Sequence, residues 1–335
     1  MYPNEFQSDT TDFRLEQALA HTASQVFGWY DSQDPFWEKL RNQVPPDASC
    51  SGSEFSLPVR WRDWFDRRHT RLSERFSWYR RMNKSAPEKR SQLIRDLTDH
   101  ISACLSGGGS YILAGDQEYP GQLCHMSKPP YGFSTLGPAK ALEWPGIAII
   151  GSRKASRQAI HESFNTGYQC ARFGLSVISG GAYGCDITAH QGLLSWRAEA
   201  GKSPPAIVVF AGGLSSLYPK GNSRVFNDIL SYGGLLISER LWQQPARPRD
   251  FPSRNRIICG LVKTVIVMQA GTRSGAMITA REALDQGRDL MVFRQEPSTP
   301  GSAGGLSLIE DGADFFTNSQ DMISNDPELR SGFGL

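Results

Sequence analysis

The chain has 335 residues and a formal net charge of +2, with 39% hydrophobic and 21% charged residues. This composition is typical of a globular protein of about two domains, and it excludes a disordered or uniformly basic chain. No apolar run approaches the ~18 residues that a membrane-spanning helix needs, and no basic and apolar leader opens the chain. The sequence therefore predicts a cytoplasmic protein that does not contact a membrane.

The six cysteines are scattered, with no CxxC pair and no Cys/His spacing that would suit a metal. Such spacing is typical of reduced thiols in a cytosolic protein. We therefore expect no structural metal and no cofactor.

The first 105 residues are predicted to form a helical N-terminal region. Apolar residues recur at helical spacing over 12–28, and two further helical stretches cover 60–82 and 87–105. Residues 45–58 are rich in Pro, Ser and Gly and read as a linker or long loop.

This region holds a strongly basic segment. Twelve Lys/Arg and four acidic residues lie between Arg60 and Arg95, a net charge of +8. Six aromatic side chains are interleaved with the arginines, so the segment could be an added nucleic-acid surface. Their helical spacing slightly favours an amphipathic helix with solvated arginines.

The pattern changes after a connecting segment, 106–145. Six short apolar runs follow, each separated from the next by enough chain for a helix: 146–150, 175–179, 206–210, 235–238, 264–268 and 289–293. Runs of this kind fit strands that are buried on both faces of a parallel sheet. The sequence predicts an α/β fold over 146–320, a doubly wound and mostly parallel Rossmann-like sheet, with a tail at 321–335.

The loops that follow these strands share one chemical character. In an open parallel sheet, ligands bind at the carboxyl ends of the strands, where loop amides and helix N-termini point outward. Glycines and serines fill five of these loops, and cations accompany them: Arg153, Lys220, Arg254, Arg256 and Arg273. Each glycine alone is an ordinary turn residue. Five loops of one character predict a phosphate-binding edge.

Several familiar sites are absent from the sequence. It contains no GxxxxGK[ST], GxGxxG, GxSxG or HExxH motif, which disfavours nucleotide hydrolysis, dinucleotide binding and hydrolase chemistry. Asp186 and His190 share a helix face, and we interpret them as a buried pair that ties a loop to a helix. The sequence therefore predicts a protein that is not an enzyme.

The segments that contain the predicted strands and the loops after them resemble those of a known family. Seven segments occur in the order and spacing of the DNA-processing A (DprA/Smf) family: IAIIGSRKAS, VISGGAYGCDITAHQGLL, VVFAGGLSSLYPKGN, LLISE, FPSRNRIICGL, SGAMITAREALDQGRDLMVF and GGLSLIEDGA. The resemblance covers residues 115–316. It departs from the family at Gln269, where an acidic residue is usual, and in the N-terminal region. We expect a variant without the family's C-terminal winged helix.

The resemblance implies a Rossmann-like domain that binds single-stranded DNA at its strand ends, forms a homodimer and cooperates with a RecA-like recombinase. No catalytic residue is implied. Carried over by motif and loop position, the DNA- and phosphate-binding candidates are Ser152, Arg153, Ser179, Gly180, Gly181, Tyr183, Gly184, Gly212, Gly213, Lys220, Asn222, Arg254, Arg256, Ser274, Gly275 and Thr279.

Two alternatives remain open. Truncated proteins of this type resemble the antitoxin or sensor half of a phage-defence pair, whose partner is a phosphoribosyltransferase-like toxin. A nucleotide could also occupy the strand-end edge, because lysine-decarboxylase-like (LOG) nucleotide hydrolases share the superfamily. Their PGGxGTxxE loop is not matched by QAGTRSGAMITARE at 269–282, so the hydrolase interpretation is weaker.

Overall fold

A computed structural model describes residues 17–23, 25, 87–114 and 116–324. The predicted loop 45–58, the helix 60–82 and most of the basic segment lie outside the described residues. The described chain forms two compact units. The smaller unit holds the described residues up to Ser134 together with Glu239–Gln244, and the larger unit holds Thr135–Ser238 and the described residues from Pro245 onward.

The smaller unit contains a long helix, α1 (Pro87–Ser106), and a strand, β1 (Ser110–Leu113). Residues 17–23 and 25 are also helical, as the sequence predicts for part of 12–28. Leu93, Leu97, Ile101 and Cys104 are buried along α1 because their spacing places them on one helix face. A 3₁₀ turn follows at Gly121–His125, and the strand β2 (Gly132–Leu136) includes the boundary between Ser134 and Thr135 at which the chain leaves this unit.

The larger unit is built on seven parallel strands. They are β3 (Gly146–Ile150), β4 (Ser176–Ser179), β5 (Ile207–Phe210), β6 (Leu235–Ser238), β7 (Thr264–Val267), β8 (Asp289–Phe293) and β9 (Asp314–Phe316). Their order in the sheet is β6-β5-β4-β3-β7-β8-β9. All six predicted strands are present, so the doubly wound parallel fold is confirmed.

Each strand is connected to the next through a helix. The connecting helices are α2 (Arg157–Arg172), α3 (Cys185–Ala200), α4 (Ser223–Ser231), α5 (Asp250–Gly260), α6 (Gly275–Asp285) and α7 (Ala303–Glu310), and α8 (Ser319–Ser324) follows β9. Every residue of β3 through β7 is buried, as expected for a sheet covered on both faces. None of the helices in the described residues is long and apolar enough to cross a membrane.

The strand order reverses at β3. Ala148 of β3 pairs with Ile178 of β4 on one side and with Val265 of β7 on the other. From β3 the chain winds outward through β4, β5 and β6, and then returns to the other side through β7, β8 and β9. A crevice opens at such a switch point because the helices after β3 and after β7 lead away to opposite faces of the sheet.

Candidate nucleic-acid interface

A cleft of about 500 Å³ lies at the carboxyl ends of β3 and β7. Its walls come from the loop after β3, the start of α3, the first turns of α5 and the N-terminus of α6. The lining residues are Ile150, Gly151, Ser152, Arg153, Lys154, Ala182, Asp186, Phe251, Arg254, Asn255, Ile258, Ser274, Gly275, Ala276 and Thr279. The cleft therefore occupies the switch point of the sheet, where ligands of doubly wound folds bind.

The N-terminus of α6 supplies hydrogen-bond donors to the cleft. Ser274 is the N-cap, and its Oγ accepts from the amide of Met277 at 3.4 Å. The next residue, Gly275, is exposed, and both residues line the cleft. Unpaired amides and the helix dipole make this end of a helix attractive to an anion. Thr279 closes the turn by donating to the Gly275 carbonyl at 3.1 Å.

Two exposed cations and an aromatic group stand at the other wall. Arg153 and Lys154 are both exposed, and the amide of Lys154 donates to Ser152 Oγ at 3.1 Å. The guanidinium of Arg153 lies over the ring of Phe251, 5.0 Å from its centroid. Tyr218, 52% exposed, meets the same ring edge-on at 6.2 Å. A positive charge and two aromatic faces are thus presented together at the mouth of the cleft.

Asp186 and Arg254 line the same cleft but are buried. Burial raises the pKa of the Asp186 carboxyl, although the nearby Arg254 guanidinium acts to lower it. Burial also lowers the pKa of Arg254 to about 10, which leaves the guanidinium charged at neutral pH. Because Arg254 is buried beside the Asp186 carboxyl, the positive charge that is open to a ligand comes from the exposed cations Arg153 and Lys154.

The expected Asp186–His190 pair is not formed. Asp186 lies in the first turn of α3, and its carboxylate turns back to accept from the amides of Gly180 and Ala182. His190 is fully buried one turn later, and neither ring nitrogen has a hydrogen-bond partner among the described residues. The side chain that ties the loop to α3 is therefore that of Asp186, beside the backbone hydrogen bond from the amide of Ile187 to the carbonyl of Ala182 at 3.2 Å.

The structure brings part of the predicted set into the cleft: Ser152, Arg153, Arg254, Ser274, Gly275 and Thr279. Gly184 backs the cleft, because its missing Cβ would lie 2.2 Å from the Ser152 carbonyl oxygen. Other candidates lie outside the lining: Ser179, Gly180, Gly181, Tyr183, Gly212, Gly213, Lys220, Asn222 and Arg256. Of these, Tyr183 and Lys220 are exposed, whereas Asn222 and Gly212 are buried.

Sequence reasoning missed Lys154, Asn255 and the lining role of Asp186. Lys154 directly follows the GSR segment, so its charge in GSRKAS was an available signal. Asn255 gave no such signal, since its side chain enters the site by donating to Thr279 Oγ1 at 2.7 Å across two helices.

The chain is similar in sequence to a family of known proteins. A family model described as DNA recombination-mediator protein A matches residues 110–326. Protein Smf of Escherichia coli K12 is 33% identical over 216 residues, which are 64% of this chain and 56% of that protein. DNA processing protein DprA of Streptococcus pneumoniae is 34% identical over 209 residues, which are 62% of this chain and 71% of that protein. The matched part of the chain therefore spans 56% of the length of the first relative and 71% of the second.

Two solved structures share the fold. The X-ray structure of DprA from S. pneumoniae has a TM-score of 0.59 at 30% identity and covers 69% of this chain and 80% of its own. A structure of DprA from Helicobacter pylori, which describes that protein's single-stranded DNA binding mode, has a TM-score of 0.58 at 28% identity and covers 65% and 94%.

Proposed function

Because this chain belongs to the DNA recombination-mediator protein A family, we propose that it binds single-stranded DNA at the switch-point cleft without carrying out chemistry on it. One observation carries this proposal. The polar side chains of the lining are donors or hydroxyls, apart from Asn255 and from Asp186, whose carboxylate is engaged by backbone amides. A lining of this kind suits a phosphate, which only accepts hydrogen bonds.

The phosphate is held from two sides in this proposal. Ser152, Arg153 and Lys154 face it from the loop after β3, and the amides at the start of α6 face it from the other wall. Contacts of this kind read charge and carry no sequence information, so binding should be tolerant of sequence and sensitive to salt.

Aromatic side chains beside the cleft account for the preference for a single strand. Tyr183 is 46% exposed, Tyr218 is 52% exposed, and Phe251 lies between Tyr218 and Arg153. An unpaired base can stack on such a ring, which is typically worth about 1–3 kcal/mol per base. In a duplex the base faces are already stacked on each other, so the same rings gain nothing there.

The relatives support this assignment. The H. pylori protein whose fold this chain shares is described in its single-stranded DNA binding mode. We extend that property to this chain because its cleft supplies both phosphate donors and stacking surfaces. In keeping with the resemblance, we also propose that the chain acts in the cytoplasm, pairs with a second copy and works with a RecA-like recombinase.

Binding assays on the full chain test the function. Fluorescence anisotropy would compare a labelled oligothymidylate with a duplex of the same length, each at two salt concentrations. We expect tighter binding to the single strand and a loss of affinity at high salt. Arg153→Ala should weaken binding to all single strands and lower the salt dependence, because a phosphate contact is lost.

Arg172→Ala is the matched control. Arg172 is also exposed and also lies over a phenylalanine ring, that of Phe173 at 5.9 Å, but it ends α2 at the opposite edge of the sheet. The Arg172→Ala variant should bind the single strand with the affinity and salt dependence of the wild type. Equal affinity for single strand and duplex, or an unchanged affinity and salt slope in Arg153→Ala, would contradict the proposed function.

A further inference from the structure

The loop between β4 and α3 is held by side chains from three different elements. Asp186 of α3 accepts from the amide of Gly180 at 3.2 Å and from the amide of Ala182 at 3.4 Å. Arg254 of α5 donates to the carbonyl of Gly180 at 2.9 Å. Asn222, which precedes α4, donates to the carbonyl of Gly181 at 2.9 Å. Consecutive peptide groups of the loop are therefore fixed by partners from outside it.

These three side chains are turned inward. Asp186 is 6% exposed, and Asn222 and Arg254 are each 7% exposed. Arg254 also donates to the carbonyl of Val209 at the end of β5 and to Asn255 Oδ1. Since a buried donor or acceptor that loses its partner destabilises the folded protein, these groups cannot turn toward a DNA strand without a loss of stability.

The backbone of the loop matches this support. A Cβ on Gly180 would lie 2.4–2.6 Å from the guanidinium atoms of Arg254, so only glycine lets that group approach. Gly181 has a φ of +64°, in the left-handed region that favours glycine. The two glycines and the three side chains thus specify one path for the chain.

The loop leads directly to the surface that the proposed function uses. Tyr183 is exposed one residue after Ala182, and a Cβ on the neighbouring Gly221 would lie 2.5 Å from the Tyr183 hydroxyl. Gly184 then packs against the carbonyl of Ser152, next to Arg153. A shift in the loop would therefore move both a stacking face and the phosphate-binding wall.

We propose that Asp186, Asn222 and Arg254 are positioning residues that preset the loop 180–184, and that they support DNA binding through this loop rather than by contacting the strand. This inference rests on the proposed function, and it changes the role expected of two motif residues. Asn222 and Arg254 come from segments that resemble DNA-contacting motifs, but their hydrogen bonds hold the protein's own backbone. A preset site binds more tightly because less order must be created on binding.

The charge-conserving variant Arg254→Lys separates the two roles. If Arg254 contacted a phosphate, lysine would keep most of the affinity and the full salt slope. A single ammonium cannot reproduce the guanidinium, whose Nη1 donates to the Gly180 and Val209 carbonyls while its Nε donates to Asn255 Oδ1. We expect Arg254→Lys and Asn222→Ala each to weaken oligothymidylate binding about tenfold, the equivalent of one lost buried hydrogen bond, with the salt slope unchanged. Arg153→Ala should lower the slope by about 0.7.

A double-mutant cycle distinguishes positioning from a general loss of folding. Tyr183→Ala should cost less affinity in the Asn222→Ala background than in the wild type, because the misplaced loop no longer presents the ring. The cycle of Asn222→Ala with Arg273→Ala should be additive, since Arg273 lies just before α6, on the other wall of the cleft. Additivity in both cycles would overturn the inference.

Hydrogen exchange provides a readout that needs no DNA. The amides of Gly180 and Ala182 should exchange faster in Asn222→Ala and Arg254→Lys than in the wild type, but not in Arg153→Ala. If these amides stay protected, or if both variants bind like the wild type while Arg153→Ala shows a lower salt slope, the positioning role is wrong and the proposed function stands. If the wild-type chain fails to bind the single strand, the proposed function fails, whereas the exchange result still reports on the loop.

Discussion

At the scale of single residues, burial and not the sequence motif decides whether the charge of a cationic side chain is available to a ligand. Arg153 and Arg254 both approach the ring of Phe251, at 5.0 and 5.9 Å. Arg153 is exposed, so its charge is available to a ligand, whereas Arg254 is 7% exposed and bonded to backbone carbonyls. Both arise from basic motif segments that look alike in the sequence. Only the fold separates the residue that can meet a phosphate from the one that supports a loop.

His190 predicts a specific dependence of stability on pH. Burial lowers its pKa from 6.5 to about 3. Because the native state then binds fewer protons than the unfolded chain, the free energy of unfolding decreases as the pH falls below 6.5, until the pH reaches about 3. The loss reaches about 2 kcal/mol at pH 5. Urea unfolding at pH 7 and pH 5 should therefore show less destabilisation by acid in His190→Leu than in the wild type.

The difference between the wild type and His190→Leu reports the contribution of His190 to the pH dependence, because all other titrating groups are common to both proteins. His100 is one of them, since burial lowers its pKa to about 4 and its share of the pH dependence remains in the variant. His190→Leu should also be at least as stable as the wild type at pH 7, because it removes a buried polar group that has no partner among the described residues. An identical pH dependence in both chains would mean that His190 does not titrate with a depressed pKa.

At the scale of elements, two helices pack closer than ordinary side chains allow. Gly167 of α2 faces Ala189 of α3, and a Cβ on Gly167 would lie 1.9 Å from the Ala189 carbonyl oxygen. Gly192 of α3 makes the reciprocal approach, with its missing Cβ 2.0 Å from the carbonyl oxygen of Phe164. Because α3 begins at the cleft, this contact also fixes the helix that carries Asp186.

Gly167→Ala should therefore destabilise the protein by about 1–3 kcal/mol, the usual cost of overpacking. The direction of the change in the free energy of unfolding distinguishes crowding from helix propensity. Alanine is the better helix former by about 1 kcal/mol and would stabilise an uncrowded helix. Chemical denaturation measures the difference. Gly271→Ala is the control: its added Cβ would meet no atom within 4 Å, so its stability should stay near that of the wild type. A Gly167→Ala variant as stable as the wild type would show that the helices can move apart.

The sequence predicted the elements better than the site. The runs at 146–150 and 264–268 identified β3 and β7 because a strand buried on both faces is continuously apolar. The short strand β9, Asp314–Phe316, carries no such run and was missed. The loop after β3 and the N-terminus of α6 were predicted to line the site. The inward side chains of Asp186, Asn222 and Arg254 were not distinguished from exposed ones, because their partners are distant in the sequence.

At the scale of the whole molecule, the small net charge hides an uneven distribution, and salt dependence can locate the charges that meet DNA. Four exposed cations lie in the segments that follow β3, β5 and β7 and precede the next helix: Arg153, Lys154, Lys220 and Arg273. At about 0.7 per phosphate contact on a single strand, they predict a slope of about 3 for the logarithm of Kd against the logarithm of the salt concentration. The basic segment between Arg60 and Arg95 would add to this slope only if it also contacted the strand.

We expect the basic segment to contribute little, since the helical spacing of its aromatic residues favours an amphipathic helix whose arginines remain solvated. The full chain should then give a slope of about 3, and Arg67→Ala with Arg68→Ala should leave it unchanged, while Arg153→Ala lowers it by about 0.7. A salt titration of oligothymidylate binding on these three proteins measures all the slopes. A slope of about 6 or more in the wild type that falls in the Arg67/Arg68 double variant would instead assign part of the DNA interface to the N-terminal region.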